Sequence, residues 1–487
     1  MRKFFLIFSV AMLSLILSCS REESNGLMNN SISSFENFAV YNAPVFTVPP
    51  SGGDDTDELL QAFADAQAAG PGAIVQLTEG TFIISSIEIH DFIGSFRGKG
   101  KDKTIVLAAP DLPCKESFDD KNTTSHLLKF IGGDVVIANM TLKIPDGFAC
   151  ATETSYGGRD LVTILSLSDF SDAYRPEKRF IKALVDDVHF IGGFDDGTGG
   201  SGDYNVTLGI WAGGDFWYFI EGNDYPFSRQ NICIRNSEFE NLLGACEVCN
   251  MGSEGISDFS NNFCHDLILG FYSGFNYGSN LSFRNNKFVN NSWLDLWLDD
   301  DDWGVYMYTE RTKRTVYEIT GNTFSPANGA IAINMLDWKF VVYPEMNLPP
   351  MLFKISNNLF NLNPDCIGIL AQNTQDAVIK NNKFRGSCNT GILAEGIVIT
   401  DWGGVEHPAV YANNILMLGN NMSGLTSSVA NIVLAEKTSN CTVAGGNNSG
   451  NVIDNGVNNK ITGPKKIKSQ LHLGGTIRDN YRMHRKK

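Results

Sequence analysis

Phe283-Arg-Asn-Asn-Lys-Phe288 is the clearest copy of a six-residue pattern that recurs along this chain of 487 residues. The pattern is an apolar residue, a polar residue, two positions that favour Asn, any residue, and a final Phe. The other strong copies are Ile319-Thr-Gly-Asn-Thr-Phe324, Ile355-Ser-Asn-Asn-Leu-Phe360 and Ile379-Lys-Asn-Asn-Lys-Phe384. Weaker copies end at Leu142, Phe190, Phe239 and Cys264. Consecutive copies end 24, 25, 36, 48 or 49 residues apart, which indicates an internal repeat of 24 or 25 residues.

A repeat of this length indicates stacked units, each contacting only its neighbours. The segments within a unit are short, apolar and β-branched, without a helical period, and the Leu/Asn spacing of leucine-rich repeats is absent. We therefore predict an all-β fold, a single-stranded right-handed parallel β-helix with three short strands per coil. Equivalent side chains of successive coils should stack, so Phe288, Phe324, Phe360 and Phe384 should form an internal aromatic column. The Asn residues should occupy the bends, where the backbone becomes left-handed.

Three N-terminal segments are more specific than the repeat. They are Asp54-Asp-Thr-Asp-Glu-Leu-Leu-Gln-Ala-Phe63, Thr78-Glu-Gly-Thr-Phe82 and Phe96-Arg-Gly-Lys-Gly-Lys-Asp-Lys-Thr-Ile105. Together they resemble the first part of the pectate-lyase-like (pectin-lyase-like) right-handed parallel β-helix superfamily, and the resemblance covers residues 46–463. It implies a short capping helix before the first coils. It does not imply one function, because the superfamily contains lyases, hydrolases, epimerases and non-catalytic adhesins.

The residues of the first segment fit a capping helix. Asp55 followed by Glu58 predicts a capping-box start, and Gly70-Pro71 predicts the end. Such a helix would protect the exposed strand edge of the first coil. Its predicted apolar face consists of Leu59, Ala62, Phe63 and Ala66.

The first residues resemble a bacterial lipoprotein signal. Arg2 and Lys3 precede an apolar stretch, Phe4 to Leu17, that is too short to span a membrane comfortably. Cys19 closes this stretch as in a lipobox, which implies cleavage before Cys19 and lipidation of its sulfur. An ordinary secretory signal with an incidental Cys is the alternative. The following Ser-Arg-Glu-Glu sequence resembles the surface-export signal of Bacteroidota lipoproteins.

These features divide the chain into four segments. Residues 1–18 are the predicted signal peptide, and residues 19–45 are a polar, lipid-anchored tether. Residues 46–463 form the β-helix with its cap, and residues 464–487 form a basic tail. We therefore expect a monomeric outer-membrane lipoprotein of the cell envelope, displayed on the cell surface.

The charge of the chain limits its partners. Lys and Arg number 38 against 54 Asp and Glu, which gives a formal net charge of −16. A body this acidic should not bind nucleic acid. It also disfavours a polyanionic ligand unless Ca²⁺ bridges the two.

The segment from Trp293 to Trp303, Trp-Leu-Asp-Leu-Trp-Leu-Asp-Asp-Asp-Asp-Trp, is the best candidate for a functional site. In an extended strand, alternate residues point to opposite faces. The three Leu residues, 294, 296 and 298, should therefore face the core, and the odd-numbered residues should face solvent. Exposed rings beside carboxylates suit a sugar, because the ring covers C–H groups and the acids accept hydroxyl hydrogens. The predicted exposed residues are Trp293, Asp295, Trp297, Asp299, Asp301 and Trp303.

The pair Asp-Trp recurs at similar places in the repeat. Asp302-Trp303, Asp337-Trp338 and Asp401-Trp402 begin 14, 13 and 17 residues after a column Phe. Similar offsets in a solenoid place residues on one face, so these pairs could line one polysaccharide-binding groove, which Trp211, Asp215 and Trp217 would extend. The alternative is that the Trp side chains pack under the insertions of the longer coils.

Two kinds of chemistry fit the acidic run. Asp299 and Asp301, two apart on a strand, would lie about 6.6–7 Å apart, close to the spacing of the acids of inverting glycosidases. Asp295 completes this candidate catalytic set. Asp300 and Asp302 could instead bind Ca²⁺, which would serve a uronate lyase whose base would be Lys313, Arg311 or Arg314. A solvated acidic loop is the remaining alternative.

The motifs of well-known relatives are missing. The Gly-His-Gly and Arg-Ile-Lys motifs of pectin hydrolases and the Arg-x-x-Pro-x-x-Arg-like signature of pectate lyases do not occur. The sequence therefore predicts a surface lipoprotein that binds a polysaccharide along a Trp/Asp groove and leaves cleavage open, as hydrolase or lyase. A non-catalytic β-helix adhesin or glycan-capture lipoprotein is the alternative. No cofactor other than Ca²⁺ is suggested.

Overall fold

The computed structural model describes residues 43–110, 112, 125–146, 161–168, 181–193, 206–213, 230–249, 256–274, 278–299, 314–338, 341, 349–400, 405–445, 450–463 and 465–467. The predicted signal peptide, Cys19 and most of the predicted tether lie outside these residues. No helix within the described ranges is long and apolar enough to cross a membrane.

The protein is a right-handed parallel β-helix, which confirms the predicted fold. Within the described ranges its main sheet contains 34 strands, and these strands pair in parallel with the equivalent strands of neighbouring coils. The strands form three faces, here called A, B and C in chain order within a coil. Four long strands turn a corner and belong to two faces. Gly133–Lys143 and Ile181–Ile191 join faces A and B, whereas Lys383–Glu395 and Asn421–Leu434 join faces B and C.

Apart from these four, each face consists of separate short strands. Face A contains Val45–Val48, Ala73–Leu77, Ile93–Arg97, Gln230–Arg235, Ile256–Ser260, Asn280–Arg284, Val316–Thr320, Leu352–Ser356, Asp376–Lys380, Ile415–Leu418, Thr442–Ala444 and Lys460–Thr462. Face B contains Gly80–Ile84, Thr104–Ala108, Glu238–Glu240, Phe263–His265, Lys287–Val289, Thr323–Ser325 and Leu359–Leu362.

Face C carries Trp211, Asp295, Trp297 and Asp299, four of the residues that the sequence marked as candidates for function. It contains Ile87–His90, Ser125–Ile131, Leu161–Ser168, Val206–Ala212, Gly244–Cys249, Leu269–Gly274, Leu294–Asp299, Ile331–Leu336, Ile367–Gln372, Asn451–Asp454 and Lys465–Ile467. Two small sheets lie outside the main one. They pair Ile399–Thr400 with Glu406–His407 and Ala412–Asn413 with Thr438–Ser439.

The interior contains the predicted aromatic column. The ring centroids of Phe288 and Phe324 are 5.2 Å apart, those of Phe324 and Phe360 are 5.0 Å apart, and those of Phe360 and Phe384 are 4.4 Å apart. All four side chains are fully buried. The column therefore ties successive coils together by apolar burial and ring stacking.

The bend between faces A and B contains a ladder of buried Asn side chains. Each Oδ1 accepts a hydrogen bond from the backbone N–H of the preceding ladder residue, at 2.8 Å from Asn286 to Asn322 and from Asn322 to Asn358, and at 2.9 Å from Asn358 to Asn382. The residue before each ladder Asn has left-handed backbone, as at Asn357 with φ of 57°. The structure therefore confirms that the Asn residues occupy the left-handed bends, and it adds the ladder of side-chain hydrogen bonds.

The helix Thr56–Ala69 caps the N-terminal end of the barrel, as predicted. Its buried residues are the predicted ones, and the Phe63 ring centroid lies 5.2 Å from those of Phe92 and Phe96. The predicted capping box is wrong, because the Asp55 side chain makes no capping hydrogen bond. Asp55 is instead fully buried and accepts hydrogen bonds from the backbone N–H groups of Ser51 and Ile83, at 2.6 and 3.0 Å. It therefore ties the helix start to the first coil.

Candidate functional site

An outward-facing column on face C carries the aromatic residues of the candidate site. The parallel register places Trp211 beside Glu247, Glu247 beside Tyr272, and Tyr272 beside Trp297. Neighbouring strands are about 4.8 Å apart, so the column follows the helix axis for about 14 Å. We call Trp211, Tyr272, Trp293 and Trp297 the aromatic strip.

Three of the four rings, those of Tyr272, Trp293 and Trp297, make edge-to-face contacts centred on Trp297. The centroids of Trp293 and Trp297 are 5.0 Å apart with an interplanar angle of 76°, and those of Tyr272 and Trp297 are 5.1 Å apart at 66°. Trp293, Trp297 and Tyr272 are half-buried, whereas Trp211 is only 8% exposed. Within the described structure, the buried indole N–H groups of Trp211 and Trp297 have no hydrogen-bond partner. The strip therefore contains partly exposed rings and two buried indole N–H groups without a partner among the described residues. Buried donors of this kind are uncommon in folded proteins.

Asp299 holds one end of the strip. Its Oδ1 accepts a hydrogen bond of 3.2 Å from the Tyr272 hydroxyl. Gly274 makes room for this contact, because a Cβ at this position would lie 2.3 Å from the Tyr272 hydroxyl oxygen and 3.1 Å from Asp299 Oδ1. Asp299 itself is only 1% exposed. It therefore orients Tyr272 from below the surface, and its predicted exposure is wrong.

The prediction that Asp295 faces solvent is also wrong. Its side chain is fully buried, and Oδ1 accepts a hydrogen bond of 2.8 Å from Asn291 Nδ2. Burial raises the pKa of Asp295 well above its ordinary range, only partly opposed by the Asn291 hydrogen bond. Oδ2 has no hydrogen-bond partner among the described residues. The carboxyl therefore lies in the interior, out of reach of a ligand on the surface.

Asp295 is buried because the side chains do not alternate regularly between the two sides at the start of the strand Leu294–Asp299. Leu294 packs in an outer cluster with Trp293 and Trp297, whereas Leu296 packs in the main core. Leu294 and Leu296, two residues apart, thus point to opposite sides of the strand. The backbone also lies very close to Gly270 here, where a Cβ would be 2.3 Å from the Asp295 carbonyl oxygen. The assumed alternation therefore holds only from Leu296 onward.

Asp337 and Trp338, predicted to line the groove, are buried. Trp338 is 3% exposed and packs with Leu336, Val341 and Ile399. Asp337 accepts hydrogen bonds from the backbone N–H groups of Met351, at 3.3 Å, and Gln375, at 2.9 Å. The prediction that this pair is exposed is wrong, and the packing alternative describes Trp338 correctly.

Several predicted residues lie outside the described residues. They include the second acid of the proposed pair, the proposed Ca²⁺ ligands and one Asp-Trp pair: Asp300, Asp301, Asp302, Trp303, Asp401 and Trp402, with Asp215, Trp217, Arg311 and Lys313. Arg314 is described, and its guanidinium donates hydrogen bonds to the Pro350 and Met351 carbonyls and to the Asp376 carboxylate. Arg314 is therefore a structural cation.

Tyr272 is the residue of the strip that the sequence analysis missed. It lies one coil before Trp297, in direct register with it. Its copy of the repeat ends in Cys264 instead of Phe, which hid the equivalence. Aligning the coils on their bends would have found it.

Comparison with known proteins gives similarity of fold only. Neither a protein-family model nor a curated protein matches the chain. The A-module of the Azotobacter vinelandii mannuronan C-5 epimerase AlgE6 is 13% identical with a TM-score of 0.46, covering 89% of this chain and 99% of that module. Pre-mature gene product 12 of bacteriophage phi29 is 14% identical with a TM-score of 0.46, covering 91% and 58%. PfbA, a surface adhesin of Streptococcus pneumoniae, is 11% identical with a TM-score of 0.39, covering 89% and 97%.

Proposed function

We propose that the protein binds a polysaccharide along the aromatic strip of face C. The observation that carries the proposal is the group of partly exposed rings, with Tyr272 and Trp297 in register on neighbouring coils and Trp293 in contact with Trp297. Aromatic faces cover the C–H groups of a sugar, so partly exposed rings on a solenoid surface suit a glycan. A column parallel to the helix axis matches a linear ligand.

Binding is favoured over cleavage as the basic activity. Inverting glycosidases need two carboxyl groups about 6.5–9.5 Å apart on either side of the bond. Of the three predicted catalytic acids, Asp295 is enclosed in the interior and Asp299 is held beneath Tyr272. Cleavage would therefore depend on Asp301 and its neighbours, and a non-catalytic glycan-capture protein is the alternative that the experiment must separate.

The test measures binding and turnover together. The full-length chain is incubated with plant, algal and host polysaccharides, with and without Ca²⁺, and binding is followed by affinity electrophoresis. Trp297→Ala should weaken binding by about 2 kcal/mol, roughly thirty-fold, as for a central aromatic contact. Tyr411→Ala is the matched control, because Tyr411 is an exposed aromatic residue away from the strip.

Either of two results would reject the proposal: no polysaccharide binds, or Trp293→Ala and Trp297→Ala bind as tightly as the unchanged chain. Reducing ends and the absorbance of unsaturated uronates are recorded in the same samples. Reducing ends alone would add a hydrolase activity, and both signals would add a lyase activity. Loss of either signal in Asp301→Asn, with binding retained, would assign the chemistry to the acidic run.

We also propose that Cys19 carries a lipid that anchors the protein in the outer membrane, facing outward. The lipobox-like end of the apolar stretch and the acidic residues after Cys19 support this proposal. The Cys19→Ala variant should no longer be recovered in the membrane fraction, and a fatty-acid analogue should no longer label it. Retention of both properties in this variant would contradict it.

A further inference from the structure

Three potential metal ligands, His189, Glu238 and Glu240, come together on face B, and His265 lies beside the two Glu residues. Glu238 and Glu240 lie on the strand Glu238–Glu240, between His189 of the preceding coil and His265 of the following coil. The parallel register sets His189 beside Glu238 and Glu240 beside His265. Because strands are about 4.8 Å apart, side chains from three coils can reach one point.

The distances between these groups fit a common ion better than hydrogen bonds. His189 Nε2 lies 3.5 Å from Glu240 Oε1, and His265 Nε2 lies 3.4 Å from Glu238 Oε1 and 3.6 Å from Glu240 Oε2. Ordinary N–H···O hydrogen bonds are about 2.7–3.2 Å long. Ligands about 2.0–2.1 Å from a tetrahedral zinc ion are about 3.3–3.4 Å from one another. Ligand atoms of His189, Glu238 and Glu240 all lie within 4.8 Å of one another, whereas His265 is outside this group and contacts only the two Glu residues of it.

Both imidazoles, those of His189 and His265, have surroundings that suit a metal ligand. The buried Nε2 of His189 has no hydrogen-bond partner among the described residues, so this nitrogen is available as a ligand atom. His265 Nδ1 lies 2.8 Å from Asp266 Oδ2, and Asp266 in turn accepts a hydrogen bond of 2.6 Å from Asn290. A carboxylate on the far nitrogen of a His is the usual support of a metal ligand, because it directs the other nitrogen at the ion.

We propose that His189, Glu238, Glu240 and His265 bind a divalent transition-metal ion of the zinc type, a site separate from the aromatic strip. Two imidazole nitrogens select such an ion over Ca²⁺, which prefers oxygen ligands alone. The two Glu carboxylates supply two negative charges, and the Lys101 ammonium, 3.3 Å from Glu238 Oε2, offsets one of them. The four side chains are 15–27% exposed, so an ion can enter from solvent. A bound ion would link three successive coils.

The test uses the full-length chain after dialysis against a chelator. Titration with Zn²⁺ by calorimetry should give one ion per chain, and Co²⁺ should give the visible absorption of a low-coordinate nitrogen-oxygen site. His189→Ala and His265→Ala should each weaken Zn²⁺ binding at least about tenfold, and Asp266→Asn should weaken it about 10- to 100-fold. His90→Ala is the matched control, because His90 is an exposed imidazole that contacts the Glu88 carboxylate at 2.7 Å and is not one of the proposed ligands. Circular dichroism checks that each variant is folded, and Glu240→Gln, which keeps the shape of the side chain, replaces any His variant that is not.

Lys101→Gln distinguishes a metal site from an ion-pair network. Its ammonium competes with the ion for Glu238, so its removal should tighten Zn²⁺ binding several-fold. In a network of ion pairs, the same change would only lower stability. No Zn²⁺ binding, binding equal in His189→Ala and His90→Ala, or weaker binding in Lys101→Gln would each overturn the proposal.

Discussion

At the scale of single residues, the two adjacent asparagines of the repeat have different structural roles. Asn357 is exposed and has a φ of 57°, whereas Asn358 is 2% exposed and belongs to the ladder. Asn358 Nδ2 donates to the Ile319 carbonyl and to Asn382 Oδ1, and its Oδ1 accepts from Asn322. Position 357 therefore requires a residue that tolerates left-handed backbone, and position 358 requires the hydrogen bonds of the Asn side chain.

Substitutions at this pair should separate the two requirements. Asn358→Ala leaves buried groups of Asn322 and Ile319 without partners, each costing about 1–3 kcal/mol, so the free energy of unfolding should fall by about 3 kcal/mol or more. Asn357→Gly keeps the left-handed conformation available, and its effect should stay below about 1 kcal/mol. Urea unfolding followed by circular dichroism measures both. Equal losses in the two variants would contradict the division of roles.

The buried carboxyl of Asp295 should make stability depend on pH. Because burial raises its folded-state pKa, the folded protein holds a proton that the unfolded chain releases near pH 4. This contribution to stability is complete below about pH 4 and is lost as pH rises towards the folded-state pKa. Asp295→Asn keeps an Oδ1 acceptor for Asn291 but does not titrate. Its stability relative to the unchanged chain should therefore increase from pH 4 upward, as measured by urea unfolding at several pH values.

The exposed Asp365 provides the control for this series. Asp365→Asn should shift stability by a small amount without following the pH profile of the Asp295 variant. If the difference between Asp295→Asn and the unchanged chain does not change with pH, the carboxyl is not protonated in the folded state.

At the scale of the strand and the coil, the sequence predicts what every coil must repeat. The ladder and the column need the same residue type at each level, so Asn322 and Phe324 recur in sequence and their positions were predicted correctly. The rule of alternation was applied to Leu294–Asp299 as if the strand were regular from its first residue. The bend held by Asn291 shifts Asp295 inward, and nothing in the local pattern encodes that shift.

The face B cluster shows a second limit of sequence reasoning. His189, Glu238, Glu240 and His265 lie on three coils separated by different numbers of residues, because one coil carries a longer insertion. Metal ligands in local motifs have short, fixed spacings, and this set has none. Only the register between coils brings these side chains together, so the cluster follows from the alignment of the strands.

At the scale of the whole molecule, the net charge should control which polysaccharides bind. A formal charge of −16 repels a polyuronate, and dissolved salt screens this repulsion over about 10 Å at 0.1 M. Binding of a neutral polysaccharide to the aromatic strip should therefore change little between low and moderate salt. Binding of a polyuronate should be weakest at low salt and should strengthen on addition of NaCl, and more strongly with Ca²⁺, which can bridge carboxylates. Affinity electrophoresis of both ligands at two salt concentrations measures this difference. Tight polyuronate binding at low salt without Ca²⁺ would mean that a local basic surface, such as the predicted tail at residues 464–487, outweighs the charge of the body.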